Sequence, residues 1–170
     1  MLKFFRLMVP VALLRRGPQD LPYSQSLCTT ALVIAFVLSL MASALAQESL
    51  SATGGRFIVA MLFYALSVTL LLALYQLPNR LLQTLTAGFG VAAVFGVVDI
   101  LLLLAQLGGL SESVRITGLL MLVAWSLLVD GHILSAALDI RLIAGCTLAI
   151  AIFVPQIALI AAISSGGAAN

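Results

Sequence analysis

The sequence predicts an all-α fold: a polytopic transmembrane bundle of five helices, preceded by an amphipathic interfacial segment. Three observations predict it. Hydrophobic residues make up 63% of the 170-residue chain and charged residues only 8%, against about 25% charged in a soluble domain. Mean hydropathy is +1.24, which is more apolar surface than a water-soluble fold can hide, so hydrocarbon is the expected solvent. The apolar residues also fall into five runs, each long enough to cross a bilayer, that nearly fill the chain. One transmembrane domain over 27–164 follows, with residues 1–26 before it and a short uncharged tail over 165–170.

Residues 1–26 do not span. LKFFRLMVPVALLRR mixes apolar and basic residues, is interrupted by Pro10, and reads as an amphipathic piece lying on the membrane surface. Pro18 and Pro22 then bracket a stiff turn that separates it from the next helix, for which Ser24 or Ser26 is the expected cap. The first span covers about 27–46. Its end carries Ala44-x-Ala46, the arrangement signal peptidase reads, but the long basic lead and long apolar run favour retention. The second span covers about 56–77, after an SLSATGG loop, and Pro78-Asn79 ends it. The third covers about 82–107 and closes on Gly108-Gly109. The fourth covers about 114–138, with Ser111 or Ser113 as cap. Gly131 leaves open whether it is continuous or stops near Val129, ahead of a short interfacial helix. The fifth covers about 142–164 and holds Pro155, which frees a carbonyl one turn earlier. Five spans without an internal repeat do not form two equal inverted halves.

Basic residues in the short loops set the expected orientation. Lys3, Arg6, Arg15, Arg16, Arg80 and Arg141 fall on one side, and Arg56 and Arg115 on the other. The N-terminus is therefore expected in the cytoplasm and the C-terminus on the other side. Anionic lipid headgroups are the natural partners of Lys3, Arg6, Arg15 and Arg16. With hardly any surface outside the bilayer, nucleic acid is not an expected partner.

Intramembrane polar groups are costly and tend to mark sites. In the third span Gly88, Ala92, Gly96, Asp99, Leu103 and Gln106 share an arc of about 80° at 100° per residue. Small residues every four positions let another helix approach closely, so Asp99 is expected to be buried with that packing stripe. Asp99 lies about 12 Å from the outer end of its span, at 1.5 Å per residue. The same count reaches Ser39, Tyr64, Trp125 or Ser126, and Gln156 in the other spans. The expectation is one polar layer around Asp99, with Gln156 as its partner. A protonated Asp99 that ties helices together by donating a hydrogen bond is the plainer role for the same residue. A second polar cluster, Asp130, His132 and Asp139, is expected nearer the cytoplasm. On a regular helix Asp130 lies about 200° from His132 and shares a face with Ser126.

Several chemistries lack their residues. No GxSxG, HExxH, P-loop or dinucleotide fingerprint is present. One histidine does not supply two axial haem ligands. Cys28 and Cys146 form no close-spaced pair and read as small buried hydrophobes. No metal, no cofactor and no catalytic residues are expected.

Two stretches carry a resemblance: RRGPQDLPYS (Arg15–Ser24) and W-x4-DGHILSAALDIRLIAG (Trp125–Gly145). They resemble small five-span inner-membrane proteins of proteobacteria, loosely grouped with Yip1-like membrane proteins. The DLYGP-type motif of the latter is absent, and QDLPY is its nearest counterpart. The resemblance implies a five-helix bundle with a cytoplasmic N-terminus and carries over no site residues. The first functional expectation is a non-catalytic scaffold or accessory subunit, bound to another membrane protein or to further copies of itself. The small-residue stripe and the GPQDLPY turn motivate it. The alternative is a small proton-coupled transporter or channel subunit using Asp99. A weaker one is a membrane enzyme acting on lipid through His132 and Asp130.

Overall fold

The computed structural model describes residues 2–166, and side chains over 3–164. Among these residues the chain is all-α. It has six helices: α1 (Leu2–Ala12), α2 (Gln25–Leu45), α3 (Leu50–Leu74), α4 (Leu81–Leu107), α5 (Glu112–Leu138) and α6 (Leu142–Gly166). Helices α2 to α6 are long and apolar enough to cross a membrane. Short 3-10 turns over Pro18–Asp20 and Pro78–Arg80 precede α2 and α4. The tail expected from residue 165 falls outside the described residues beyond Gly166.

The helix ends follow local chemistry. The Ser24 hydroxyl accepts from Leu27 N at 3.3 Å and caps α2. The Ser49 hydroxyl does the same for α3 through Ala52 N. That cap corrects the expected SLSATGG loop: α3 starts at Leu50 and runs through Gly54-Gly55, so the connection is only Ala46–Ser49. Helix α1 ends on left-handed Leu14, α2 on Gln47, α3 on Gln76, α4 on Gly109 and α5 on Asp139. After α1 to α4 that residue and the next return amide hydrogens to carbonyls of the last turn, as in Arg15 N to Pro10 O.

Helix α4 is the centre. Thr86–Val91 is buried on every side. Three glycines let three neighbours approach it: Gly96 meets Leu38 of α2, Gly88 meets the Tyr64 phenol of α3, and Gly90 meets the Met8 thioether of α1. The α2–α4 seam is the most extensive in the fold, with Ala31 and Ala35 of α2 buried. Backbones also touch where α5 crosses α6. A methyl group on Gly145 would overlap the Gly131 carbonyl, and one on Gly131 would overlap Cys146. Gly131 is therefore a packing glycine, and α5 runs unbroken to Leu138. This settles the choice that the sequence left open and removes the separate interfacial helix.

Helix α1 departs from expectation as well. Pro10 sits inside it rather than interrupting it: the ring removes only the one amide hydrogen, and the Pro10 carbonyl accepts from Arg15 N at 2.9 Å as the helix closes. Phe4, Met8 and Val11 are buried and Lys3, Arg6 and Leu13 exposed. The apolar face of α1 is covered by protein, not only by lipid. Its C-terminal carbonyl, Ala12 O, accepts from the Trp125 indole at 2.9 Å. The proline turn is docked too: Gly17, Pro18 and Leu21 are buried, and the Gln83 amide donates to Leu21 O at 2.7 Å.

Candidate functional site

One wall of α4 runs from Arg80 through Thr84, Gly88, Ala92 and Gly96 to Asp99 and Leu103. Three cavities open along it. The end of the bundle holding Arg80 and Arg141 is called the basic end here, and the opposite one the far end.

The far cavity, about 310 Å³, lies between α2, α3, α4 and the start of α5. Asp99, Ser39, Arg115 and Glu48 face it. Asp99 thus turns inward, on the same stripe as Gly96. The Ser43 and Thr53 hydroxyls share a hydrogen bond of 2.8 Å that ties α2 to α3 at its wall. At the rim the Arg56 guanidinium bonds Glu48 at 3.1 Å and Thr53 at 3.2 Å. Arg115 has no anionic partner within ion-pair distance among the described residues, and its Nε is buried without an acceptor.

The middle cavity, about 190 Å³, is walled by Tyr64, Gly88, Ala92, Ser126, Asp130 and Gln156, among others. Beside it lies a void of about 20 Å³ whose polar lining is again Tyr64, Asp130 and Gln156. The Tyr64 hydroxyl is buried and has no hydrogen-bond partner among the described residues. The Gln156 amide donates to Ala60 O at 3.1 Å, and the Ser126 hydroxyl to Val123 O at 2.8 Å. Asp130 has no ion-pair partner among the described residues.

The third cavity, about 160 Å³, lies at the basic end between Thr84, Gln83, Arg80, Asp139 and the proline turn. Arg80 pairs with Asp139 at 2.8 Å and donates to Ala137 O at 2.9 Å. A cation there satisfies carbonyls that the end of α5 leaves without partners.

The single layer expected around Asp99 is therefore two centres. Ser39 shares the far cavity with Asp99, whereas Tyr64, Ser126 and Gln156 stand around Asp130 one cavity further in. Gln156 is bound to α3 and not to Asp99. Counting depth along each helix ignores which way each polar residue faces, and that decides the grouping. The expected cluster of Asp130, His132 and Asp139 is dispersed. Asp130 faces the middle cavity and Asp139 pairs with Arg80 at the surface. His132 keeps a buried Nε2 without a partner among the described residues. Trp125 belongs to neither centre, since its indole holds α1. The sequence reading missed the role of Arg115 in the far cavity. Its position one helical turn before Gly118, which packs on Leu102 of α4, was the available signal.

No family model matches this chain, and no curated protein and no solved structure matches it either.

Proposed function

We propose that this chain is a multi-pass protein of a bacterial inner membrane, with a cytoplasmic N-terminus, and that it is a small proton-coupled transporter or channel subunit. Asp99 is its outer titrating group. The observation that carries this reading is the string of three cavities along one wall of α4. Each has an acid on its lining: Asp99, Asp130 and Asp139. Asp139 has a structural partner in Arg80, but Asp99 and Asp130 have no ion-pair partner among the described residues, and intramembrane carboxyls on cavity walls are typical of proton routes. The resemblance to five-span inner-membrane proteins is in keeping with it.

The features that favoured an accessory subunit are used inside the fold. Helices α2 and α3 cover the small-residue stripe, at Gly96 and Gly88 respectively, and the proline turn is docked on α4 and α5. Lipid enzymology through His132 and Asp130 loses its geometry, because an unbroken α5 points the two side chains to different sides. Anionic headgroups remain the partners we propose for the exposed Arg15 and Arg16.

The test uses the full chain in liposomes with a pH-sensitive dye inside and an imposed membrane potential. Wild-type protein admits protons faster than empty vesicles do, and Asp99→Asn abolishes the difference at unchanged abundance. No flux above empty vesicles defeats the reading. So does an Asp99→Asn protein that is merely less abundant, with unchanged flux per molecule. Recovery of a stoichiometric membrane partner together with absent flux returns the accessory-subunit reading.

A further inference from the structure

We propose that the small void between Tyr64, Asp130 and Gln156 is a binding site for one dehydrated monovalent cation of sodium size. This goes beyond the transport reading and holds whether or not the chain moves protons through Asp99.

Size comes first. The void is about 20 Å³, and roughly 10–15 Å³ is enough for one water-sized occupant. Apolar side chains, Leu134, Ala149, Ile152 and Phe153, form the rest of its wall. An occupant there exchanges bulk water for the three polar groups.

Those groups carry oxygen. Tyr64 is only 9% exposed, and its hydroxyl has no hydrogen-bond partner among the described residues. Unpartnered buried hydroxyls are uncommon and call for an explanation. Gly88 is what admits the ring: any larger residue would overlap the phenol oxygen. Gln156 is oriented by its amide nitrogen, which donates to Ala60 O, so its oxygen is left to accept. Asp130 supplies the only formal charge on the lining of the void.

Charge selects the ion. One carboxylate balances one positive charge. Calcium takes six to eight oxygens, usually several of them carboxylates, and magnesium demands a near-octahedral set. No three of His, Cys, Asp and Glu come together among the described residues, so the nitrogen and sulfur ligands of transition metals are missing. With a water molecule alone, Tyr64 and Gln156 are satisfied and Asp130 must take up a proton to be neutral; the sodium-sized ion takes the place of that proton. A sodium-sized ion satisfies all three. The adjoining middle cavity, with the Ser126 hydroxyl on its wall, supplies room for the waters that complete its shell.

The test is the melting of the purified full-length chain in mild detergent, in sodium, potassium or choline chloride at equal ionic strength. Sodium raises the melting temperature by roughly 2–4 °C once several-fold above its dissociation constant. Potassium gives a smaller rise and choline none. Tyr64→Phe weakens the sodium response roughly ten-fold in affinity, as expected for one lost oxygen ligand. Asp130→Asn removes it, and Asp99→Asn keeps it. If Asp130→Asn does not fold, Tyr64→Phe decides. A choline response equal to that of sodium overturns the proposal, as does no salt-specific shift in the wild type, the result for a water-filled void. A sodium response untouched in Tyr64→Phe overturns it as well. Failure of the proton-flux test with the sodium response intact defeats only the transport reading.

Discussion

The two halves of this bundle are built differently. In the basic half, α5 and α6 meet backbone to backbone. Every buried residue of α5 lies between Val129 and Leu138, and eight of the nine buried residues of α4 lie between Thr84 and Ala93. In the far half, α4 keeps one buried residue, Leu103, and a cavity of about 310 Å³ stands between the helices. The difference teaches where conformational freedom resides. Glycine contacts such as Gly131–Gly145 leave no slack, since packed interiors transmit strain instead of absorbing it. The far cavity carries Asp99, Arg115 and Glu48 on its lining, whereas the larger cavity beside Leu85 and Phe89 is lined by apolar side chains and Met61. The chain reads as a tight α5–α6 base beside a vestibule with charged walls.

The largest expected effect breaks that base. Gly145→Ala puts a methyl group into the Gly131 carbonyl and against Ser135. Backbone does not rotate away as a side chain does, so α6 must separate from α5. Overpacking of this kind costs about 1–3 kcal/mol, and the upper end is expected. Gly96→Ala is the matched change in the far half. Its new methyl group lies 3.2 Å from Leu38 Cβ, a contact a small helix shift relieves. A cost under about 1 kcal/mol is expected for it. Thermal melting of both variants in one detergent measures the contrast. Equal losses would mean that the two halves are equally rigid.

Much of this architecture was legible in the sequence, and the remainder was hidden for identifiable reasons. Run length and polarity located the five long helices, because a bilayer-length apolar stretch has few alternatives. The stripe Gly88–Ala92–Gly96–Asp99 was legible because 3.6-residue periodicity places residues on one face of their own helix. Periodicity stops there. It does not tell which neighbour that face meets, so Gln156 was paired with Asp99 although it binds α3. Gly131 was ambiguous because a glycine that ends a helix and one that lets two helices touch look alike in sequence. The docking of α1 was invisible for a similar reason: a stripe of Phe4, Met8 and Val11 suits a lipid surface and a protein groove equally. The receptor for it, Gly90, sits on the side of α4 opposite the stripe that drew attention.

A smaller effect sharpens the comparison through access from water. Ser39 lines the far cavity and Ser126 the middle one. With Cys28 and Cys146 replaced by alanine, Ser39→Cys and Ser126→Cys each carry one thiol. Ser39→Cys is expected to react with a membrane-impermeant maleimide at least roughly ten-fold faster, because Ser39 lies close to the far end of α2 while Ser126 lies near the middle of α5, and thiol reactivity follows access from water. Addition of the reagent to one face of sealed vesicles also reports which face the vestibule opens to. Similar rates would make the two cavities one continuous channel.

The smallest expected effect serves as a control, because it depends on neither half. Gln47 lies at the far end and Gln76 at the basic end, and both hold the left-handed conformation, with φ of 57° and 59°. For a residue with a Cβ that conformation costs roughly 1–2 kcal/mol. Glycine removes the strain but loses about 0.5–1 kcal/mol through the freedom it gains in the unfolded chain. The balance is a gain of about 0.5–1 kcal/mol for Gln47→Gly and for Gln76→Gly alike. Both glutamines are exposed, so few side-chain contacts are lost with either. Strain in a helix cap is local and does not sense whether the bundle beyond it is tight or open. Melting shifts of equal size would locate the contrast between the halves in interhelical packing. A gain at Gln47 with a loss at Gln76 would mean that the basic end is braced through its connections as well as through its glycines.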